Sequence, residues 1–195
     1  MEIKYKNIGF CITGSFCTFT KIFPVIEEMI EMGANITPII SKSVDDNDTR
    51  FIKVAQVKRF LKLSTGKHAK TLITEVEPIG PKKLLDLVIV APCTGNTMAK
   101  IANGISDTAV TLAVKSHLRN SRPVLLAVAT NDALSGNARN LGHLLNVKNM
   151  YFVPMGQDDF INKKTSVVAD MGKIIESAEL ALESKQIQPI FIAPK

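Results

Sequence analysis

The chain has 195 residues, 21.3 kDa and a mean hydropathy of +0.14, enough to bury a core without cross-links. Hydrophobic residues at 46% and charged residues at 22% are ordinary globular values, which excludes a disordered or fibrous class. The net charge of +6 comes from scattered Lys and Arg with no tryptophan and 6% aromatics, a poor outfit for stacking bases, so no nucleic-acid role is expected.

The longest apolar runs fall far short of the roughly 20 residues that span a bilayer, and the first residues are charged, without a signal-peptide pattern. A cytoplasmic, membrane-free protein is expected. Three cysteines without a CxxC pair read as reduced thiols, and His68, His117 and His143 have no metal-ligand spacing, so no metal site is assigned.

In chain order, residues 8–13 form a first strand, apolar at nearly every position as a strand covered on both faces should be. A helix from about Thr20 to Met32 follows, with Ile22, Val25, Ile26, Met29 and Ile30 at helical spacing and Gly33 ending it. Residues 35–40 are the second strand and 41–47 a loop. Asp48 caps a helix carrying Phe51, Val54, Ala55, Val57, Phe60 and Leu61. Residues 71–74 read as a short strand and 78–81 as a turn.

A third strand covers 85–91, followed by helices over 97–103 and 108–120, the second capped by Asp107. Residues 123–128 and 150–153 are further strands, separated by a helix over 136–146, and 167–184 a closing helix. Strands alternating with helices predict one α/β domain over 1–195, a doubly wound and mostly parallel sheet with helices on both faces, in three αβα layers.

In such a sheet ligands bind beyond the carboxyl ends of the strands. The loop around Gly14, Ser15 and Phe16 offers backbone N–H groups to an anion, although a tight turn with a helix cap explains the same residues. The loop of Thr94, Gly95, Asn96 and Thr97 supplies further donors and acceptors, or simply caps its helix; Ser41 adds a hydroxyl. Asn131, just past a buried strand, is placed to read a carboxylate or to make an Asx turn. Cys17 and Cys93 stand at helix starts, where a thiol is readily activated, but no base accompanies them. No catalytic residue is assigned.

The stretch APCTGNTMAKIANGISD at 91–107 resembles the signature of the flavoprotein family that includes phosphopantothenoylcysteine decarboxylase, lantibiotic cysteine decarboxylases and flavin prenyltransferases. The segments GFCITGSFCT (9–18), EPIGPK (77–82), LAVATNDAL (126–134) and NMYFVPMGQD (149–158) are more narrowly similar to the dipicolinate synthase B-subunit family. The resemblance implies a Rossmann-like fold and FMN, its phosphate and ribityl chain surrounded by Gly14, Ser15, Phe16, Ser41, Thr94, Gly95, Asn96 and Thr97. It also implies a homo-oligomer, trimer or dodecamer.

The function implied is oxidation of dihydrodipicolinate to dipicolinate during endospore formation, in the mother cell, with an A subunit as partner. The hydride acceptor is then either a flavin on this chain or NAD(P) held by the A subunit. The chain departs from the decarboxylases: Pro78 stands near their catalytic histidine's place, and 128–131 replaces their Pro-Ala-Met-Asn loop. A stand-alone FMN-dependent decarboxylase or prenyltransferase, or a non-catalytic structural or regulatory subunit, are the competing readings.

Overall fold

Seven strands form one sheet in the computed structural model, which describes residues 3–193; Met1, Glu2, Pro194 and Lys195, part of the expected domain, lie outside these. β1 (Asn7–Ile12) pairs in parallel with β2 (Asn35–Ile40) on one side and β3 (Leu87–Cys93) on the other. β4 (Val124–Thr130) continues the parallel set beside β3. All of β3 and nearly all of β1 and β4 are buried, which is why these strands read as unbroken apolar runs.

The far edge of β4 is shared. Its first half pairs in parallel with β5 (Met150–Phe152), and its last two residues pair antiparallel with β7 (Val167–Ala169), which in turn pairs with β6 (Met155–Gly156). The closing helix expected over 167–184 is therefore shorter. Residues 167–169 join the sheet, Asp170 caps a single 3-10 turn by accepting from Gly172 N–H at 3.2 Å, and only Ile174–Leu182 is helical. The β-branched pair Val167–Val168 was the signal for a strand.

α1 (Phe19–Glu31) and α8 (Ile174–Leu182) pack on one face of the sheet, with α3 (Val54–Thr65) against α1 and β2. α6 (Ala109–Arg119) covers the other face, beside α4 (Ile73–Val76) and α5 (Gly95–Ala102), and α7 (Ala138–Leu144) packs on α5. Helices on both faces of a mostly parallel sheet are the architecture expected. Each fully buried Ile or Phe, such as Ile8, Phe10, Ile26 and Phe152, contributes about 1.5–3 kcal/mol of transfer free energy.

Four local expectations are corrected. Residues 71–74 do not form a strand: Thr71 and Leu72 N–H groups donate to the Glu75 carboxylate at 2.8 and 3.0 Å, starting α4, and only Lys70 bridges to Ile39 of β2. The loop after β2 contains α2 (Lys42–Asp46), because Ser41 C=O accepts from both Val44 and Asp45 N–H at 3.0 Å. Asp107 does not cap α6; it pairs with Lys100 at 2.8 Å, while Thr108 Oγ1 accepts the Thr111 N–H at 3.2 Å. α3 begins at Val54 with Lys53 in the N-cap position, so Phe51 lies outside it; Asp48 reaches its start from a distance, its carboxylate accepting from Val54 N–H at 2.9 Å.

Candidate functional site at the carboxyl edge of the sheet

The strand order reverses between β1 and β3, so the loops leaving them diverge to opposite faces and leave a crevice at the carboxyl edge. A cleft of about 350 Å³ opens there, lined by Gly14, Ser15, Phe16, Cys17 and Thr18 after β1, Thr94 after β3, and Ala129, Thr130 and Asn131 at the end of β4. Phe51, Asp158, Lys163 and Val168 complete its lining. This size is within the range of small-ligand pockets.

The β1 and β3 ends are locked together by Thr13. Fully buried, its hydroxyl donates to Pro92 C=O at 2.6 Å and accepts the Thr94 N–H at 3.0 Å. Thr94 then caps α5, its hydroxyl accepting from Thr97 N–H at 3.4 Å and donating to Thr97 Oγ1 at 3.2 Å. In the first loop the Ser15 N–H is taken by Thr13 C=O (2.8 Å) and the Thr18 N–H by Ser15 C=O (3.0 Å). The N–H groups of Gly14, Phe16 and Cys17 take no part in such loop bonds among the described residues.

A Cβ on Gly14 would lie 3.0 Å from Ser43 Oγ and 3.5 Å from the Phe16 ring, so its absence lets the loop pack against Ser43 and Phe16. Phe16 is held by a ladder of rings: Phe16 on Phe19 (5.3 Å), Phe19 on Phe23 (5.7 Å), and Phe23 stacked on Phe60 of α3 (4.1 Å). The aromatic wall of the cleft is thus anchored to α3 through α1.

The opposite wall is stitched to β4 and β7. Thr165 Oγ1 donates to Asn131 C=O at 2.6 Å, and fully buried Ser166 donates to Asp158 Oδ1 at 2.6 Å. Asp158 Oδ2 pairs with Lys163 Nζ at 3.1 Å. Burial opposes the charge on Asp158, but its bonds to Ser166 and Lys163 outweigh it and hold the carboxyl below its ordinary value; Lys163 is raised by the same pairing.

Of the residues singled out from sequence, Gly14, Ser15, Phe16, Thr94 and Asn131 line this cleft. Ser41, Gly95, Asn96 and Thr97 do not. Ser41 is buried with its hydroxyl 2.9 Å from Ser43 Oγ, Thr97 is buried beneath Thr94, and Asn96 is exposed. Gly95 is packed tight: a Cβ there would meet Thr130 Oγ1, Asp132 Oδ1 and Asn137 Nδ2 at 2.5, 2.6 and 2.7 Å. Ser43, Thr130, Asp132 and Lys163 escaped the sequence reading.

Cys93 is buried, which pushes its thiol up to about 12 and removes it as a nucleophile at neutral pH. Cys11 is raised by burial too, and Cys17 is exposed at the cleft. None of the three histidines lines the cleft, and no group of metal-ligating side chains occurs among the described residues. No helix of the described residues is long and apolar enough to cross a membrane.

The model of the family described as "Flavoprotein" matches residues 1–182. The chain belongs to the flavoprotein family. Within it, the chain is 43% identical over 191 residues to the dipicolinate synthase B subunit of Bacillus subtilis (strain 168), covering 98% of this chain and 96% of that protein. The crystal structure of the dipicolinate synthase B subunit from Bacillus halodurans superposes with a TM-score of 0.91 at 38% identity, each chain covered in full. The FMN-dependent cysteine decarboxylase SpaF shares the fold alone, with a TM-score of 0.68 at 19% identity over 94% of this chain and 99% of that one.

The signature segment at 91–107 is built as a strand end and a capped helix start. Of this segment only Thr94 lines the cleft, and its N–H and hydroxyl are engaged with Thr13 and Thr97.

Proposed function

We propose that this chain is the B subunit of a dipicolinate synthase, which together with an A subunit oxidises dihydrodipicolinate to dipicolinate in the mother cell of a sporulating bacterium. The observation that carries this reading is the 43% identity, sustained over 98% of the chain, to a dipicolinate synthase B subunit. The reaction removes a hydride and a proton from the substrate ring. FMN bound to this chain would supply a two-electron acceptor, with NAD(P) on the A subunit as the other source.

The residues present fit FMN. The N–H groups of Gly14, Phe16 and Cys17, with the Ser15 hydroxyl, form the phosphate side of the cleft. Thr94 borders that side, and the Thr13–Pro92 and Thr94–Thr97 bonds hold its geometry; Ser41, Gly95, Asn96 and Thr97, which the family resemblance also assigns to FMN, lie outside the lining of this cleft. The substrate is a dianion, and the cleft that would receive it is lined by the Asn131 amide and by Lys163, itself paired with Asp158. Membership of the flavoprotein family supports a homo-oligomer, trimer or dodecamer, as the assembly.

Reconstitution tests the proposal. The purified chain alone should not turn over dihydrodipicolinate, and the A subunit added to it should restore turnover. Turnover at an enzymatic rate by this chain alone would overturn the division between subunits. Absence of turnover with the A subunit, FMN and NAD(P) all present would overturn the assignment itself.

A further inference from the structure

The cations are spread along the chain, but the carboxylates are not. Residues 49–74 hold seven Lys and Arg and no Asp or Glu, whereas the rest of the chain has 17 Lys and Arg against 18 Asp and Glu. This one segment therefore accounts for the whole net charge of +6.

The segment covers one side of the molecule. α3 buries Val57 and Leu61, packs on α1 and β2, and is followed by residues 67–70 running beside β2, the strand at that end of the sheet. Lys70 exchanges backbone bonds with Pro38 and Ile40 at 2.9 and 3.0 Å. Lys67 Nζ donates to Asn35 Oδ1, Ile36 C=O and Thr37 Oγ1 at 2.6, 2.9 and 3.3 Å, so the edge of β2 is covered.

Carboxylates from outside the segment reach two of its cations, Asp48 pairing with Lys53 at 3.4 Å and Asp45 with Lys58 at 2.5 Å. Arg50, Arg59, Lys62, Lys67 and Lys70 form no such pair among the described residues. Burial and the charge of Lys70 hold the Lys67 ammonium below its ordinary value, as a positive field without a counter-ion does. On the outward face of α3, Ala55, Arg59, Lys62 and Leu63 recur at helical spacing, all exposed, with Leu63 73% so.

An uncovered leucine among unpaired cations has the make-up of a protein-docking surface, an apolar contact inside a charged rim. A membrane fits less well, because α3 already buries its apolar face within the protein. Nucleic acid would find no aromatic ring to stack on along this outward face. A second copy of the chain offers little to match it, since the charges outside the segment nearly cancel. The segment also reaches the cleft, where half-exposed Phe51 is part of the lining.

We propose that the outward face of α3, with residues 67–70, docks an acidic face of the A subunit and so sets that subunit beside the cleft. The inference rests on the two-subunit reading above.

The test measures binding of the purified A subunit to this chain by isothermal titration calorimetry, in about 50 and about 300 mM NaCl. Wild type should bind and lose about tenfold in affinity at the higher salt. Arg59→Glu with Lys62→Glu should weaken binding about tenfold or more at low salt. Arg139→Glu with Lys148→Glu, an equal change of net charge at exposed positions elsewhere, should leave it within about twofold. Lys62 also donates to Gly66 C=O at the end of α3 (2.9 Å), so where the double variant melts early Arg59→Glu alone decides, with a loss of about threefold.

An equal loss in the two double variants, no loss from reversing the α3 charges, or an affinity indifferent to salt overturns the docking surface and leaves the two-subunit reading standing. Failure of wild type to bind the A subunit overturns both, whether or not the chain then binds anionic vesicles or duplex DNA.

Discussion

His117 makes the stability of this fold depend on pH well above the range of carboxylates. It lies in α6, 2% exposed, with a ring N–H to the Asp86 backbone carbonyl and its Nε2 buried without a hydrogen-bond partner among the described residues. Burial is the main cause that pushes it down to about 4 from 6.5; the Asp86 carbonyl opposes this, Arg122 adds to it, and the Asp86 carboxylate opposes it more weakly. The folded value is depressed, so between about 4 and 6.5 the unfolded chain holds a proton that the folded chain refuses.

Stability from this group is therefore full above about pH 7 and falls as the pH drops toward 4. A shift of roughly 2.5 units corresponds to about 3 kcal/mol in full, of which about 2 kcal/mol is lost between pH 7.5 and pH 5. His117→Asn keeps an N–H donor for the Asp86 carbonyl and removes both the titration and the unpartnered Nε2. Urea unfolding at pH 7.5 and 5, at one protein concentration, measures the difference. The variant should lose about 2 kcal/mol less than wild type over this interval. An equal pH dependence in the two proteins would refute the reasoning, because no cost of protonating His117 would then be present.

Gly95→Ala drives a methyl group against Thr130, Asp132 and Asn137 and should cost about 1–3 kcal/mol, seen as a lower urea midpoint at unchanged slope; wild-type stability would mean that the polar chain yields freely. A thiol reagent at pH 8 should modify Cys17 alone in the folded protein, with Cys11 and Cys93 reacting only in urea; two fast thiols, or a fast phase surviving Cys17→Ser, would contradict the burial of the strand cysteines.

The doubly wound sheet was legible because burial on both faces leaves a strand no room for alternation. The run around Leu87–Cys93 can be little else, and β2 falls on residues 35–40 as read. What was lost lies where short polar contacts override propensity. Glu75 reaches back to two N–H groups and converts Thr71–Leu72 from a strand into a helix start. The antiparallel β6–β7 pair escaped because its strands are two and three residues long, too short to show a period, and it gains its place through the pairing of β7 with the end of β4.

Of the two loops singled out from sequence, the one at Gly14–Phe16 lines the cleft, whereas the glycine and hydroxyls after β3 cap α5 and reach the cleft only at Thr94. The side-chain part of the site was not legible, although one signal was present. Asn137 and Asn140 stand one turn apart on the stripe that also carries Leu141 and Leu144, so α7 turns amides toward the interior where its period calls for apolar residues. Buried amides need fixed partners, and the nearest carboxylate in sequence is Asp132, two residues past the strand-ending Thr130. The same logic recovers Lys163: Ser166 is fully buried beside Val167, it must donate, and its acceptor Asp158 carries the lysine on its other oxygen. A buried polar residue on an apolar face marks one end of a hydrogen-bond chain. In this fold the other end of each chain opens into the cleft.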